Sequence, residues 1–409
     1  MRNIRSMTML ELAYDAYGDL IHNWWTGDSE TGHFLHTNGG IPREEPGFLW
    51  EHAMAIFAMD SLFSATSDEE IRQRIIREWC HLRECYPNRN IYVEAGKEFN
   101  WAQDDAGWNA LLYMLAYRYT GDPFCLGIAK DLIRNTFDYW ADDGDLNNGL
   151  LYDHERWDVT KRNVMTHAAS TTLAAFDYWK ATGDNSLLED AVTVYEWVER
   201  NMLRNGEYWY ILHDGTRHTG YCNDKLYWFS YNKERETFNV YTGPEDGPDP
   251  NKILEGDSAI FLGGTMGMGV LHVRMYEYTK DEKYLRRAVE TLHAVTDNPY
   301  LVQNGVLVDA GDGWTNAAFM QQWVNEILTL DGARPEDVRL LKNTAISIYN
   351  NARTSRGFYS AAWSGPAEDD ADTPWGRRGW THDKLMTCAT SIHMIIAAGC
   401  AECKGLLTE

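Results

Sequence analysis

The chain has 409 residues, 44% hydrophobic and 13% aromatic, enough apolar mass for a large buried core and not the composition of a disordered protein. Its 37 Lys and Arg against 61 Asp and Glu leave a formal net charge of −24, which repels phosphate backbones and anionic bilayers and argues against nucleic acid or a membrane as partner. No run approaches the roughly 18 consecutive apolar residues of a transmembrane helix, and the seven Cys, an odd number, read as free thiols of a reducing, cytoplasmic setting unless an export segment has been removed.

The N-terminal stretch MRNIRSMTMLELAYDAY has no apolar export core and reads as the approach to a helix over 9–24, with Trp24 and Trp25 packing at its end. A repeat follows. FAMDSLFSATSDEEIRQRIIREW (57–79), LLYMLAYRYTGDPFCLGIAKDLI (111–133), LAAFDYWKATGDNSLLEDAVTVYEWV (173–198), MYEYTKDEKYLRRAVETLHAV (275–295) and WVNEILTLDGARPEDVRLLKNTAISIY (323–349) share one plan. An apolar helix leads to Thr-x-Asp, or Thr-Ser-Asp in the first copy, and then to a helix with one charged face. The Asp can cap the second helix through its side-chain oxygen. A helix apolar on most sides is buried, and a one-sided helix lies outside it.

This reading places buried helices at about 49–65, 104–119, 163–181, 257–279, 316–330 and 381–401, and outer helices at about 9–24, 68–86, 123–140, 185–203, 281–297 and 335–353. Six of each is the inventory of an all-α (α/α)6 barrel, because repeats of this length bury their faces only by stacking. No Pro-rich, Ser-rich or charged linker divides the chain, so one domain spans 1–409. The connections into the buried helices are long, and the longest is an aromatic insertion at about 204–256. Long loops in compact domains usually carry function, so the rim they share is where a site is expected. Surplus Trp and Tyr there suit a concave surface that stacks on sugar rings.

The strongest chemical feature at that rim is Phe99-Asn100-Trp101-Ala102-Gln103-Asp104-Asp105-Ala106-Gly107-Trp108, where a long loop enters a buried helix. Asp104 and Asp105 precede Trp108 by four and three residues, so both carboxylates can reach the face it shares with Leu111, Leu112 and Leu115. Two adjacent acids repel, and one keeps its proton while the other ionises. An acid beside an anion is what glycoside hydrolysis needs, and a close pair suits retention of configuration. The residues alone leave open a plainer reading, a helix cap followed by a first-turn acid.

The pattern W-x-x-D-D-x-x-W-x-x-L-x-x-x-A-Y-x-x-T-G-D, from Trp101 to Asp122, resembles the core of glycoside hydrolase family 76, the endo-α-1,6-mannanases. Arg162-Asn163-Val164, Thr182-Gly183-Asp184 and the segment from Phe358 to Pro366 are similar to later stretches of that family, in order. The resemblance implies an (α/α)6 barrel that cleaves α-mannosides through a covalent glycosyl-enzyme. It implies Asp104 as nucleophile and Asp105 as general acid/base, with a mannose-containing oligosaccharide or polysaccharide as partner and no cofactor. His167 stands where the family tends to have Ser-Asn, and the insertion at 204–256 is longer and more aromatic.

Around that pair, Trp50, His52, Trp101, Trp108, Asn163, His167, Asp257, Trp363, Trp380 and Asp383 are candidates for binding sugar. Each alone reads more readily as a cap or a satisfied polar group. Gly263, Gly264, Gly267 and Gly269 follow no strand and read as close helix packing rather than a phosphate loop. Asp143-x-Asp145-x-Asn147 lacks the turn Gly and the bidentate Glu of a calcium loop, and no metal site is expected. A sugar epimerase or unsaturated-uronide hydrolase, resting on His52, His167 and His382, and a non-catalytic carbohydrate-binding scaffold are the competing readings.

Overall fold

The structure is a computed structural model. It describes residues 7–35, 49–85, 103–138, 140–141, 149–150, 161–164, 170–211, 216–232, 237–238, 241–243, 247–249, 260, 262–308, 313–369, 371 and 381–407. Twelve helices are present among them. They are α1 (Met9–Trp24), α2 (Leu49–Thr66), α3 (Glu69–Cys85), α4 (Gln103–Thr120), α5 (Pro123–Phe137), α6 (Thr171–Thr182), α7 (Leu188–Asn201), α8 (Leu262–Thr279), α9 (Lys283–Thr296), α10 (Gly313–Glu326), α11 (Pro335–Asn351) and α12 (Leu385–Cys403). The chain divides into two compact units, Met1–Ile91 with Leu301–Glu409, and Tyr92–Tyr300.

Helices of two kinds alternate along the sequence, and the hydrophobic pattern sets the difference. In α12 every residue from Leu385 to Ala401 is buried, and in α8 every residue from Leu262 to Met275. In α9 only Ala288, Thr291, Leu292 and Val295 are buried, a single stripe at helical spacing. Within the first unit α12 is the hub, packed against α1, α2, α10 and α11. Among the described residues α12 alone is long and apolar enough to cross a membrane, and 94% of that window is buried inside the protein, as in a core helix. The unit's two chain ends are tied at α1. Thr8 and Glu11 form a capping box, and Glu402 accepts the N–H groups of Met9 and Leu10 at 3.2 and 2.9 Å.

The repeated corners are near-identical devices. Thr66, Thr120, Thr182 and Thr279 each end a buried helix, and each hydroxyl donates to the carbonyl four residues back at 2.7–2.8 Å. The same hydroxyl accepts the N–H of the Asp two residues on. That Asp then accepts the N–H two residues further on at 2.9–3.0 Å, at the start of the next helix in three copies and, at Ser186, two residues before α7. The residue between them turns left-handed, with φ of 57° at Ser67, 68° at Gly121, 74° at Gly183 and 60° at Lys280. The fifth copy departs from this plan. Helix α10 ends at Glu326, so Thr329 falls beyond it, and α11 is capped instead by Asp337 on the backbone N–H of Arg334 at 2.8 Å.

Three sequence-based boundaries change. The helix expected from 163 begins at Thr171, and Lys161–Asn163 forms a strand, paired with Ser230–Asn232. The helices expected from 257 and 381 begin at Leu262 and Leu385. The insertion at 204–256 carries strands rather than a plain loop. Its main feature is an antiparallel ribbon of Leu203–Ile211 and Arg217–Tyr227. Burial alternates along it: Arg204, Tyr208 and Cys222 face inward, while Asn205, Glu207, Thr219 and Tyr221 are exposed. The six cysteines whose side chains are described are free thiols.

Two histidines are sealed in the cores. His393 of α12 bonds Ser61 at 2.8 Å, and His272 of α8 bonds the Tyr195 hydroxyl at 2.8 Å. Burial pushes both imidazoles down to about 3, against about 6.5 in an unfolded chain. Their stabilising contribution is therefore complete above pH 6.5 and is lost as pH falls toward 3, because only the unfolded chain takes up the protons. Each costs about 1.4 kcal/mol per pH unit in that window. Urea unfolding between pH 5.5 and 4 should show the slope reduced by about that amount in His393→Gln.

Candidate active site

Helix α4 starts at Gln103, and its first turn carries Asp104 and Asp105. From Gln103 to Tyr113 every residue is buried except these two, which are partly exposed. A helix N-terminus concentrates partial positive charge, which favours an anion there by roughly 0.3–1 kcal/mol. Two carboxylates are therefore the only side chains that this end of the helix presents outward.

Close packing sets that burial. A Cβ on Gly107 would stand 2.3 Å from Ser170 Oγ and 2.4 Å from Thr171 N, so α4 crosses the start of α6 at a distance that only glycine permits. Trp108 is 5% exposed and packs into the core rather than lying open as a stacking floor. Asn109 is buried beside the pair, and its Nδ2 donates to the Asp105 carbonyl at 2.9 Å. A second close approach lies on α8, where a Cβ on Gly264 would meet Val164 at 2.3 Å, in keeping with the packing role read from the glycine-rich run.

The other candidates divide between the units. In the first, His52 is 2% exposed, and its Nδ1 lies 2.6 Å from Glu78. The other oxygen of Glu78 accepts the Phe34 N–H at 2.8 Å, so this buried carboxylate holds a ring and a backbone together. His33 and His81 stack nearby, ring centroids 3.9 Å apart, and burial lowers the pKa of both. Trp363 is 1% exposed, with its indole N–H on Ser391 at 3.1 Å. Asp383 is exposed just before α12 and accepts the Thr381 hydroxyl. Trp50 lies on α2 and Asn163 on the strand Lys161–Asn163, but their side chains are outside the described residues, as are Trp101, His167, Asp257 and Trp380. The calcium-like run 143–147 is outside them too. Among the described residues no group of three or more His, Cys, Asp or Glu is placed to hold a metal ion.

Sequence reasoning missed the polar groups behind the acids. Gln103, Asn109, Ser170 and Thr171 are all buried around the head of α4. The signal was available: Asn109 follows Asp105 by four residues, one helical turn on the same face.

The family model of Glycosyl hydrolase family 76 matches residues 9–233. Among solved structures, one similar chain is an inactive variant of the α-1,6-mannanase GH76A of Salegentibacter sp. HEL1_6, with two consecutive aspartates changed to alanine, in complex with α-1,6-mannotetrose. It has 16% identity and a TM-score of 0.69, over 97% of this chain and 100% of that one. A GH76 α-mannanase of Bacteroides thetaiotaomicron has 16% identity and a TM-score of 0.65, over 98% and 97%. Dfg5 from Chaetomium thermophilum in complex with glucosamine has 15% identity and a TM-score of 0.65, over 96% and 90%. At these identities the likeness is one of fold. No curated protein matches the sequence.

The crossing at Gly107 generates a paired prediction. Gly→Ala within a helix ordinarily stabilises by up to about 1 kcal/mol, and Gly127→Ala on α5, where a Cβ meets nothing within 4 Å, should do so. Gly107→Ala should instead cost about 1–3 kcal/mol through overpacking. Thermal melts of the two variants should move in opposite directions.

Proposed function

The chain belongs to glycosyl hydrolase family 76 and is a glycoside hydrolase; from that premise we propose that it is a retaining hydrolase of α-mannosides, with α-1,6-linked manno-oligosaccharides or mannan as substrate. The observation that carries this is the burial pattern of α4, which leaves Asp104 and Asp105 as its only partly exposed residues from 103 to 113. The family match covers this helix. Two consecutive aspartates are also the residues changed in the inactive mannanase variant that binds α-1,6-mannotetrose.

In the proposed reaction the Asp104 carboxylate attacks the anomeric carbon. The bond to the leaving oxygen breaks, and Asp105 gives that oxygen its proton. Water then attacks the same carbon from the side the first sugar left. Asp105 takes the water's proton, the bond to Asp104 breaks, and configuration is retained overall. Six helices in each unit, buried and one-sided in alternation, support reading residues 1–409 as one (α/α)6 catalytic domain. Free thiols support action in a reducing compartment on short oligosaccharides, with the insertion at about 204–256 walling one end of a substrate groove.

Asp104→Asn and Asp105→Asn should each lower turnover of α-1,6-manno-oligosaccharides by at least about a thousandfold, with helical circular dichroism unchanged. NMR of the first product should show the α anomer. Hydrolysis by the double variant would end the assignment, and a β anomer would end the retaining mechanism.

A further inference from the structure

Polar atoms at the head of α4 are left over, Gln103 Nε2, Thr171 Oγ1 and Asn109 Oδ1 among them, and of these residues Asn109 stands one helical turn from Asp105. Asn109 is 3% exposed. Its Nδ2 is used on the Asp105 carbonyl, and its Oδ1 is buried without a hydrogen-bond partner. A buried acceptor left unmade costs about 1–3 kcal/mol, so such atoms call for an explanation. Asn109 follows Asp105 by four residues, which makes their side chains neighbours on one helix face. An amide oxygen can only accept a hydrogen bond. An ionised carboxylate gives it nothing, whereas a protonated carboxyl can donate to it.

We infer that Asn109 is a positioning residue that holds the proton of Asp105, its Oδ1 accepting the O–H of the neutral carboxyl until the leaving oxygen takes that proton. The inference rests on the proposed roles of Asp104 and Asp105. A hydrogen bond made only to the neutral form favours that form. Once the proton has gone, the Asp105 carboxylate faces a bare acceptor, which makes it a better base for the incoming water in the second step. Asp104, ionised, also favours a proton on Asp105, but mutual repulsion works equally in both directions and cannot choose between them. Asn109 chooses, because it is one helical turn from Asp105 and off the face of Asp104.

The described helices packed against α4 bring charges that are largely committed elsewhere. On α5, Lys130 and Arg134 pair with Asp184 and Asp190, while Asp131 and Asp138 add negative charge. On α6, Asp177 and Lys180 pair with Arg274 and Glu277, and the crossing itself is Ser170, Thr171 and Thr172.

The test uses Asn109→Leu, which keeps the size and removes the acceptor, and Asn109→Asp, which places a carboxylate there. In Asn109→Leu the basic limb of kcat/KM against pH should move down by about one unit, a roughly tenfold loss above the limb, with KM little changed. In Asn109→Asp the limb should move up. A ¹³C carboxyl titration of aspartate-labelled protein, with the Asp105 signal assigned by its loss in Asp105→Asn, should show the same opposite shifts without substrate. Unmoved limbs and an unmoved Asp105 titration in both variants, with only rate, KM or melting temperature altered, would overturn the inference. If the titration shifts as expected but Asp104→Asn and Asp105→Asn hydrolyse normally, the proton-holding role stands and the catalytic reading falls.

Discussion

The head of α4 depends on the missing side chain at Gly107. With a Cβ there, the first two turns could not lie against Ser170 and Thr171, and residues 106–110 would not be sealed on every side. Because they are sealed, a helix end that would otherwise be wet shows solvent two carboxylates and little else. Position and charge are thus fixed by packing, which is stiff, rather than by a loop. Carboxyls that must meet one carbon from set directions gain from that stiffness.

The corners serve the same end at larger scale. A Thr hydroxyl that closes one helix and an Asp carboxylate that opens the next leave few of the orphan groups of two helix ends unsatisfied. Four copies do this with bonds that agree within 0.2 Å. Two of them accept a left-handed Ser67 or Lys280 where glycine would be easier, so the corner's bonds outweigh that backbone cost. Short rigid corners after the buried helices leave length and variety to the connections that precede those helices in the sequence, which is where strands such as the ribbon of Leu203–Ile211 and Arg217–Tyr227 appear.

Most of the helical plan was legible because both of its signals are local. Helical spacing marked buried and one-sided segments, and Thr-x-Asp marked their joints. Asp104 and Asp105 were legible from their place at a buried helix start. What was not legible depends on distant partners. Lys161–Asn163 is a strand because Ser230–Asn232 pairs with it, and nothing near 163 announces that. His52 looked like a rim ligand, yet Glu78, far along the chain, holds its Nδ1. That leaves a ring fixed in one orientation rather than an open proton carrier of the kind an epimerase needs. Trp108 and Trp363 carry the ring expected of a sugar platform, but neighbours decide whether a ring packs or binds, and both are packed.

The chain's charge of −24 sharpens the question of the acid pair. A negative field raises the cost of ionising any carboxyl, but at physiological salt it is screened over about 8 Å. Asp104 and Asp105 are consecutive residues in one helical turn, so whatever field survives acts on both nearly alike. The helix dipole is shared in the same way. Neither can make one acid keep its proton and the other lose it. A difference between neighbours this close must come from groups at hydrogen-bond range, where a displacement of one helical turn changes everything a carboxyl meets. That is why a single buried amide oxygen, negligible against 61 acidic residues in the charge count, can decide which of two adjacent aspartates is the acid.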